Sequence, residues 1–188
     1  MQKLFSQQLR FTRDDGKAFP DWEERRLGDI CGSFRSGIGI TSGRIFETGT
    51  YPVYGGNGLR GFCDDFTHDG DLILIGRQGA LCGNINWAKG RSYISEHAIA
   101  VSSNNLSRIE WLFYRLDALK LNRLSESSAQ PGLSVEKLKR LKLKTPHPDE
   151  QQTIADALSA MDAKIQALTD QVTKLQTFKK GLLQQMFV

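Results

Sequence analysis

The sequence predicts an α+β fold: a mixed-sheet domain with short helices, followed by a long, coiled-coil-forming C-terminal α-helix. Three observations predict it. The last fifth of the chain, Asp149 to Phe187, repeats its apolar residues at heptad spacing. From Trp22 to Val101 the texture is short β-like runs punctuated by glycine. Between these two regions lie short helical patterns and one strand in which leucine alternates with lysine.

The C-terminal pattern is the plainest. Ile154, Leu158, Met161, Ile165, Leu168, Val172 and Leu175 follow one another at alternating steps of four and three residues. That is the period of a coiled-coil seam. The stripe continues through Phe178, Leu182 and Met186, with a slip near Leu175 where it rotates around the helix. No proline interrupts the run, and Gly181 is its only glycine. A helix of this length spans roughly 55–60 Å at 1.5 Å per residue, too long to bury its whole seam on a small globule. The seam residues are therefore expected to pack on a partner helix; folding back onto the chain's own domain is the plainer alternative.

The remaining elements follow in order. Residues 1–20 form a connector with a helical pattern through Leu4, Phe5 and Leu9, ended by Asp14-Asp15-Gly16 and Pro20. Leu183-Gln184-Gln185-Met186-Phe187 resembles Met1-Gln2-Lys3-Leu4-Phe5, as if one period had been cut from a tandem repeat. Residues 21–148 form the globular domain, opening with Trp22 to Ile30. Gly37 to Gly43 reads as a loop, and Tyr51-Pro52-Val53-Tyr54 runs into the turn Gly55-Gly56-Asn57-Gly58. Leu72 to Ile75 is apolar enough for a strand buried on both faces. Gly83 to Trp87 and Tyr93 to Val101 supply further strands. Ser107-Arg108-Ile109-Glu110 has the form of a capping box, opening a helix through Leu112, Phe113, Leu116 and Leu119. A polar loop, Ser125 to Gly132, precedes a short helix from Ser134 to Leu138. Leu141 and Leu143 then alternate with Lys142 and Lys144 in a basic edge strand. Pro146 and Pro148 stop that strand, and Asp149-Glu150 place acid in the first turn of the long helix at residues 149–188, where the dipole favours it.

The chain has 188 residues, 25 Lys+Arg against 21 Asp+Glu, and a net charge of +4. This permits nucleic-acid binding without requiring it. Cys31, Cys63 and Cys82 are odd in number and unpaired by spacing, and His68, His97 and His147 are scattered, so neither a disulfide framework nor a metal site is expected. No apolar run is long enough for a bilayer or for a signal peptide, which points to the cytoplasm.

Catalytic motifs are missing. Gly37-Ile38-Gly39 with Gly43 departs from dinucleotide spacing, and there is no Gly-Lys-Ser/Thr loop, Gly-x-Ser-x-Gly elbow or Pro-Pro pair of an amino-methyltransferase. No cofactor is expected. The domain does place Arg35, Arg44, Asn57, Arg60, Arg77, Gln78, Asn84, Lys89 and Arg91 in or beside turns. Arg, Asn and Gln read base edges bidentately, while Lys mainly neutralises phosphate. For each of them an ordinary solvated side chain is the alternative; Arg77, directly after a buried strand, could instead pin a turn.

Four stretches together resemble the DNA-specificity subunits of type I restriction-modification systems. They are Trp22-Glu23 through Leu27-Gly28-Asp29; Tyr51 to Gly58 with Gly61-Phe62; Gly76-Arg77-Gln78-Gly79-Ala80 with Gly83; and Gln130 to Ser134 with the Pro146-Pro148 break and Glu150-Gln151 through Leu158. The resemblance implies a non-catalytic subunit in which a target-recognition domain reads one half of a bipartite double-stranded DNA sequence. It also implies a helix that acts as spacer, docking of methyltransferase subunits and, through them, of restriction subunits. A complete subunit of the family has two such domains and two helices. One domain and one helix here imply either a half subunit that pairs as a homodimer or with another half, or the second half of a longer chain. A protein-interaction adaptor acting through its helix without reading DNA is the competing expectation.

Overall fold

The computed structural model describes residues 1–125 and 132–186, with only the backbone of Met186. In chain order the elements are α1 (Gln2–Phe5), β1 (Glu23–Arg26), β2 (Cys31–Ser36), β3 (Tyr51–Gly55), β4 (Gly58–Cys63), β5 (Leu72–Gly76), β6 (Ile85–Ala88), β7 (Tyr93–Ile94) and β8 (Ala98–Ser103). They continue with α2 (Ile109–Ala118), α3 (Val135–Lys139), β9 (Lys142–Thr145) and α4 (Pro148–Met186). The fold is α+β with a long C-terminal helix. Gln130 and Pro131, within the fourth motif, and Phe187 lie outside the described residues.

The centre is an antiparallel sheet in the order β2-β8-β5-β6. All of β5 is buried, as its unbroken apolar run requires. Its two faces serve two layers. Ile73 and Ile75, with Ile99 and Val101 of β8 and Phe34 of β2, pack against Trp111, Leu112 and Leu116 of α2. Leu72 and Leu74, with Ala98 and Ala100, pack on Ile94 and Tyr54 of a second sheet, β4-β3-β7. The small alanines on that face let the two sheets approach closely. Beneath the domain the first and last strands, β1 and β9, pair antiparallel as a two-stranded ribbon.

Four local expectations change. The helical pattern of the connector stops at Phe5: Gln7 adopts φ +61° and Leu9 is exposed, because the chain turns there to bring Arg10 onto α4. The run Tyr93 to Val101 is two strands in different sheets, separated by a turn in which the Ala98 amide donates to the Ser95 carbonyl. β2, which the glycine- and serine-rich sequence hides, is held to β8 with a bulge between Cys31 and Phe34. Ser107 does not cap α2. Its hydroxyl donates to the Ile30 carbonyl at 2.6 Å, and Gln151 Oε1 accepts from the Arg108 amide at 2.7 Å.

Glu150 and Gln151, side by side in the first turn of α4, are fully buried. Glu150 accepts from Arg10 Nε and Nη2, at 3.1 and 2.8 Å, and from Trp22 Nε1 at 2.9 Å. Gln151 Nε2 donates to the carbonyls of Leu106 and Pro146, at 3.0 and 2.9 Å. Two neighbouring side chains thus anchor the N-terminal connector, the start of α2 and the β9 exit to one helical turn. The buried carboxylate is tolerable because both its oxygens accept hydrogen bonds and the Arg10 guanidinium balances its charge.

The seam divides at the second turn. Ile154 and Leu158, expected at the partner interface, are buried in the chain's own core with Ala155, which corrects that part of the expectation. The last polar tie to the domain is Tyr114, whose hydroxyl donates to Asp162 at 2.8 Å and meets Ser159 at 3.3 Å. Beyond it Met161, Ile165, Leu168, Val172 and Leu175 are 52–62% exposed.

Candidate nucleic-acid interface

Three connections converge where β5 ends at Gly76. The first is the β3–β4 turn, where Gly55 pairs with Gly58 and Gly58 adopts φ +92°. The second is the 77–84 loop, and the third is the 95–97 turn. They are locked together through their backbones. The Arg77 amide donates to the His97 carbonyl at 2.9 Å, and the Ser95 amide to the Tyr54 carbonyl at 2.9 Å. The Gly76 amide donates to Asn84, and the Gly83 amide to Gly76, both at 2.8 Å. Glycine is needed at the junction itself. A Cβ on Gly56 would sit 2.7 Å from the His97 carbonyl oxygen, and one on Gly76 would sit 2.6 Å from the Gly56 carbonyl oxygen.

This convergence brings Asn57, Arg60, Arg77, Gln78 and Asn84 to one end of the central strand. Asn57, Arg60, Gln78 and Asn84 are exposed, and the Arg60 side chain lies over Gly55. Arg77 is half-buried, and its carbonyl accepts from the Leu133 amide at 2.9 Å and faces the Cys82 thiol at 3.5 Å. Its backbone pins the turn. The group joins two guanidiniums to three amides, a composition suited to bidentate readout of base edges.

The other candidates lie elsewhere. Lys89 and Arg91 follow Ala88, which pairs with Leu72 at the opposite end of β5. Lys89 Nζ is 5.8 Å from the Trp87 ring centroid. Arg91 Nε donates to Asp69 at 3.1 Å, and its guanidinium lies 5.1 Å from the Phe66 centroid. The hydrogen bond to Asp69 raises the Arg91 pKa. Arg44 is 3.6 Å from Asp65 and 6.0 Å from the Tyr93 ring. Arg35 stands on edge strand β2 opposite Ala100, with Nε donating to Ser33 at 3.2 Å. Nearby, burial and then the charge of Arg35 hold the His68 pKa below its ordinary value.

Glu96 and His97, which sequence reasoning left inside a strand, occupy the middle of the convergence. His97 Nε2 lies 3.2 Å from Glu96 Oε1. The break between the two strands was the missing signal. Among the described residues no group of three or more His, Cys, Asp or Glu could hold a metal ion, and no helix is long and apolar enough to cross a membrane.

Comparison with known proteins bears on the family of the chain. Residues 20–176 match the type I restriction modification DNA specificity domain. The chain is 40% identical over 182 residues to the EcoprrI specificity subunit of Escherichia coli, covering 93% of this chain and 44% of that relative. A putative type I specificity subunit of Mycoplasma pneumoniae is 25% identical over 169 residues, covering 86% of this chain and 55% of the relative. The chain thus spans about half the length of these relatives. Its fold is shared with the S subunit of a type I restriction-modification system from M. genitalium, at TM-score 0.71 and 19% identity, over 86% of this chain and 43% of that one. It is shared too with the HsdS subunit of Thermoanaerobacter tengcongensis, at TM-score 0.61 and 22% identity, over 80% and 40% of the two chains. Spanning so much of the matched domain, and so similar to a specificity subunit along nearly its whole length, the chain belongs to the type I restriction-modification DNA specificity family.

Proposed function

We propose that the chain is a non-catalytic recognition module that reads one half of a bipartite duplex DNA target and docks methyltransferase subunits, which in turn recruit restriction subunits. The observation that carries the reading is the convergence of Asn57, Arg60, Arg77, Gln78 and Asn84 on a backbone-locked platform at one end of β5. Residues on rigid supports lose little entropy on binding, so their hydrogen-bonding pattern can discriminate between bases. Residues 21–148 would serve as the recognition domain and residues 1–20 as its connector. The exposed seam from Met161 to Leu175 supports pairing of the 149–188 helix with a second copy or another half subunit.

Co-expression with the methyltransferase subunit, followed by mapping of methylated bases across a bacterial genome, tests both parts. Two inverted copies of one short motif would establish reading by a symmetric pair. A stable complex that methylates nothing would assign this chain to one half of a larger reader. Equal affinity for all duplexes in that complex would sink the DNA reading and favour an adaptor working through its helix.

A further inference from the structure

The segment Lys137 to Lys144 carries five Lys/Arg and no acidic residue, more than the whole chain's net charge of +4. The fold lays this charge beside more. In the β1–β9 ribbon Arg26 pairs with Lys142 and Glu24 with Lys144, so these four share one face. The opposite face carries Leu143 and Thr145, which are buried, so the charged face points outward. Continuing from Arg26, a groove of about 620 Å³ runs between β2 and α3, lined by Arg26, Arg35, Lys139 and Arg140 together with Asp29 and Glu136.

The charge is largely uncommitted. Arg26 and Arg140 are exposed, and their guanidinium groups have no hydrogen bond or ion pair among the described residues. The Lys144 ammonium has no hydrogen bond or ion pair among the described residues and lies in the field of Glu24. Lys142 bonds Glu24 at 2.9 Å and Lys139 bonds Glu136 at 3.2 Å. Both are exposed pairs of the kind worth little in water, and a polyanion can displace them.

Resting on the DNA reading above, we propose that Arg26, Arg35, Lys139, Arg140, Lys142 and Lys144 form a track for the sugar-phosphate backbone of duplex DNA, separate from the base-reading platform. A protein partner fits this face less well. Protein interfaces are depleted of lysine and centred on aromatic and other apolar residues. Among the described residues every exposed large apolar side chain lies elsewhere, in the connector, the 38–81 region, at Leu124 or along α4. A lysine- and arginine-rich face without apolar anchors suits phosphate, whose binding gains come from counterion release.

The test is a triple variant, Arg26→Ala, Arg140→Ala and Lys144→Ala, in the full chain, alone and with the methyltransferase subunit. Binding of a labelled cognate duplex and of an unrelated duplex is measured across a salt series. The track predicts equal loss of affinity for both duplexes. It also predicts a salt slope reduced by about 2–3, at roughly 0.9 per phosphate contact, with cognate preference retained. The charge-conserving variant Arg26→Lys, Arg140→Lys and Lys144→Arg should keep the native slope, which excludes misfolding as the cause. An unchanged slope in the alanine variant overturns the track. So does loss of methyltransferase binding at unchanged slope, which would assign the face to an acidic protein surface. If the unmodified chain in its complex binds no duplex, the DNA reading itself fails, and the track with it.

Discussion

Gln151 shows how much one side chain organises. Its amide accepts from the Arg108 amide and donates to the carbonyls of Leu106 and Pro146, the first two part-buried and the last fully buried. Gln151→Ala would orphan all three and should cost about 3 kcal/mol, read as a lowered midpoint in urea unfolding. A loss under about 1 kcal/mol would mean that water replaces the amide. His68 gives the pH dependence. Its folded pKa lies below the ordinary value of 6.5, through burial and the nearby Arg35. The unfolded chain therefore binds the proton first on acidification. The stabilising contribution is complete above that value and declines as pH falls through it towards the lower folded pKa. His68→Gln should flatten stability over this range. Arg35→Ala should raise the ring's pKa, followed by proton NMR. No change in that titration would show that the guanidinium is irrelevant to it.

At the scale of elements, α4 does two jobs in succession. Its first turns belong to the core through Ile154, Ala155 and Leu158; from Met161 onward its apolar stripe meets solvent in the single chain. Leu168→Asp should therefore halve the molar mass in solution while leaving the domain folded, since a carboxylate in a closed seam pays for its dehydration and one on a lone helix does not. An unchanged mass by light scattering would exclude pairing through this stripe. The helix was legible in sequence because its period is local. What the period does not encode is which apolar residues face the chain's own domain, and Ile154 and Leu158 look like Ile165 and Leu168 until α2 is in place. β2 was illegible for a related reason: Cys31 to Ser36 gains strand geometry from pairing with β8 rather than from any alternation of its own. Tyr93 to Val101 misled in the opposite direction, since apolar residues continue across a turn buried between two sheets.

For the whole molecule, the candidate residues were chosen by type and by proximity to turns. Type is visible in sequence, but convergence is tertiary. Asn57 and Gln78 fall at the same end of β5 because Gly56 and Gly76 touch, while Arg91 is at the far end, engaged by Asp69 and Phe66. Gln78→Ala with Asn84→Ala should change the methylated motif or relax it at one position. Arg91→Ala should leave the motif intact and at most weaken binding uniformly. A motif altered by Arg91→Ala alone would move the reading surface to the other end of the sheet.

The pairing of β1 with β9 and the grip of Arg10 on Glu150, 140 residues apart, bear on how the protein is made. During synthesis the first strand has no partner until the last has left the ribosome, and Trp22 has no acceptor until Glu150 follows. The central sheet is complete once β8 has emerged, but the ribbon closes only with β9 and the buried carboxylate only when the helix begins. A released chain ending just before Pro146 should remain open to protease at its connector, and one ending well past Leu158 should be closed there. The helix whose far stripe lies open to solvent is also the clasp that finishes the domain.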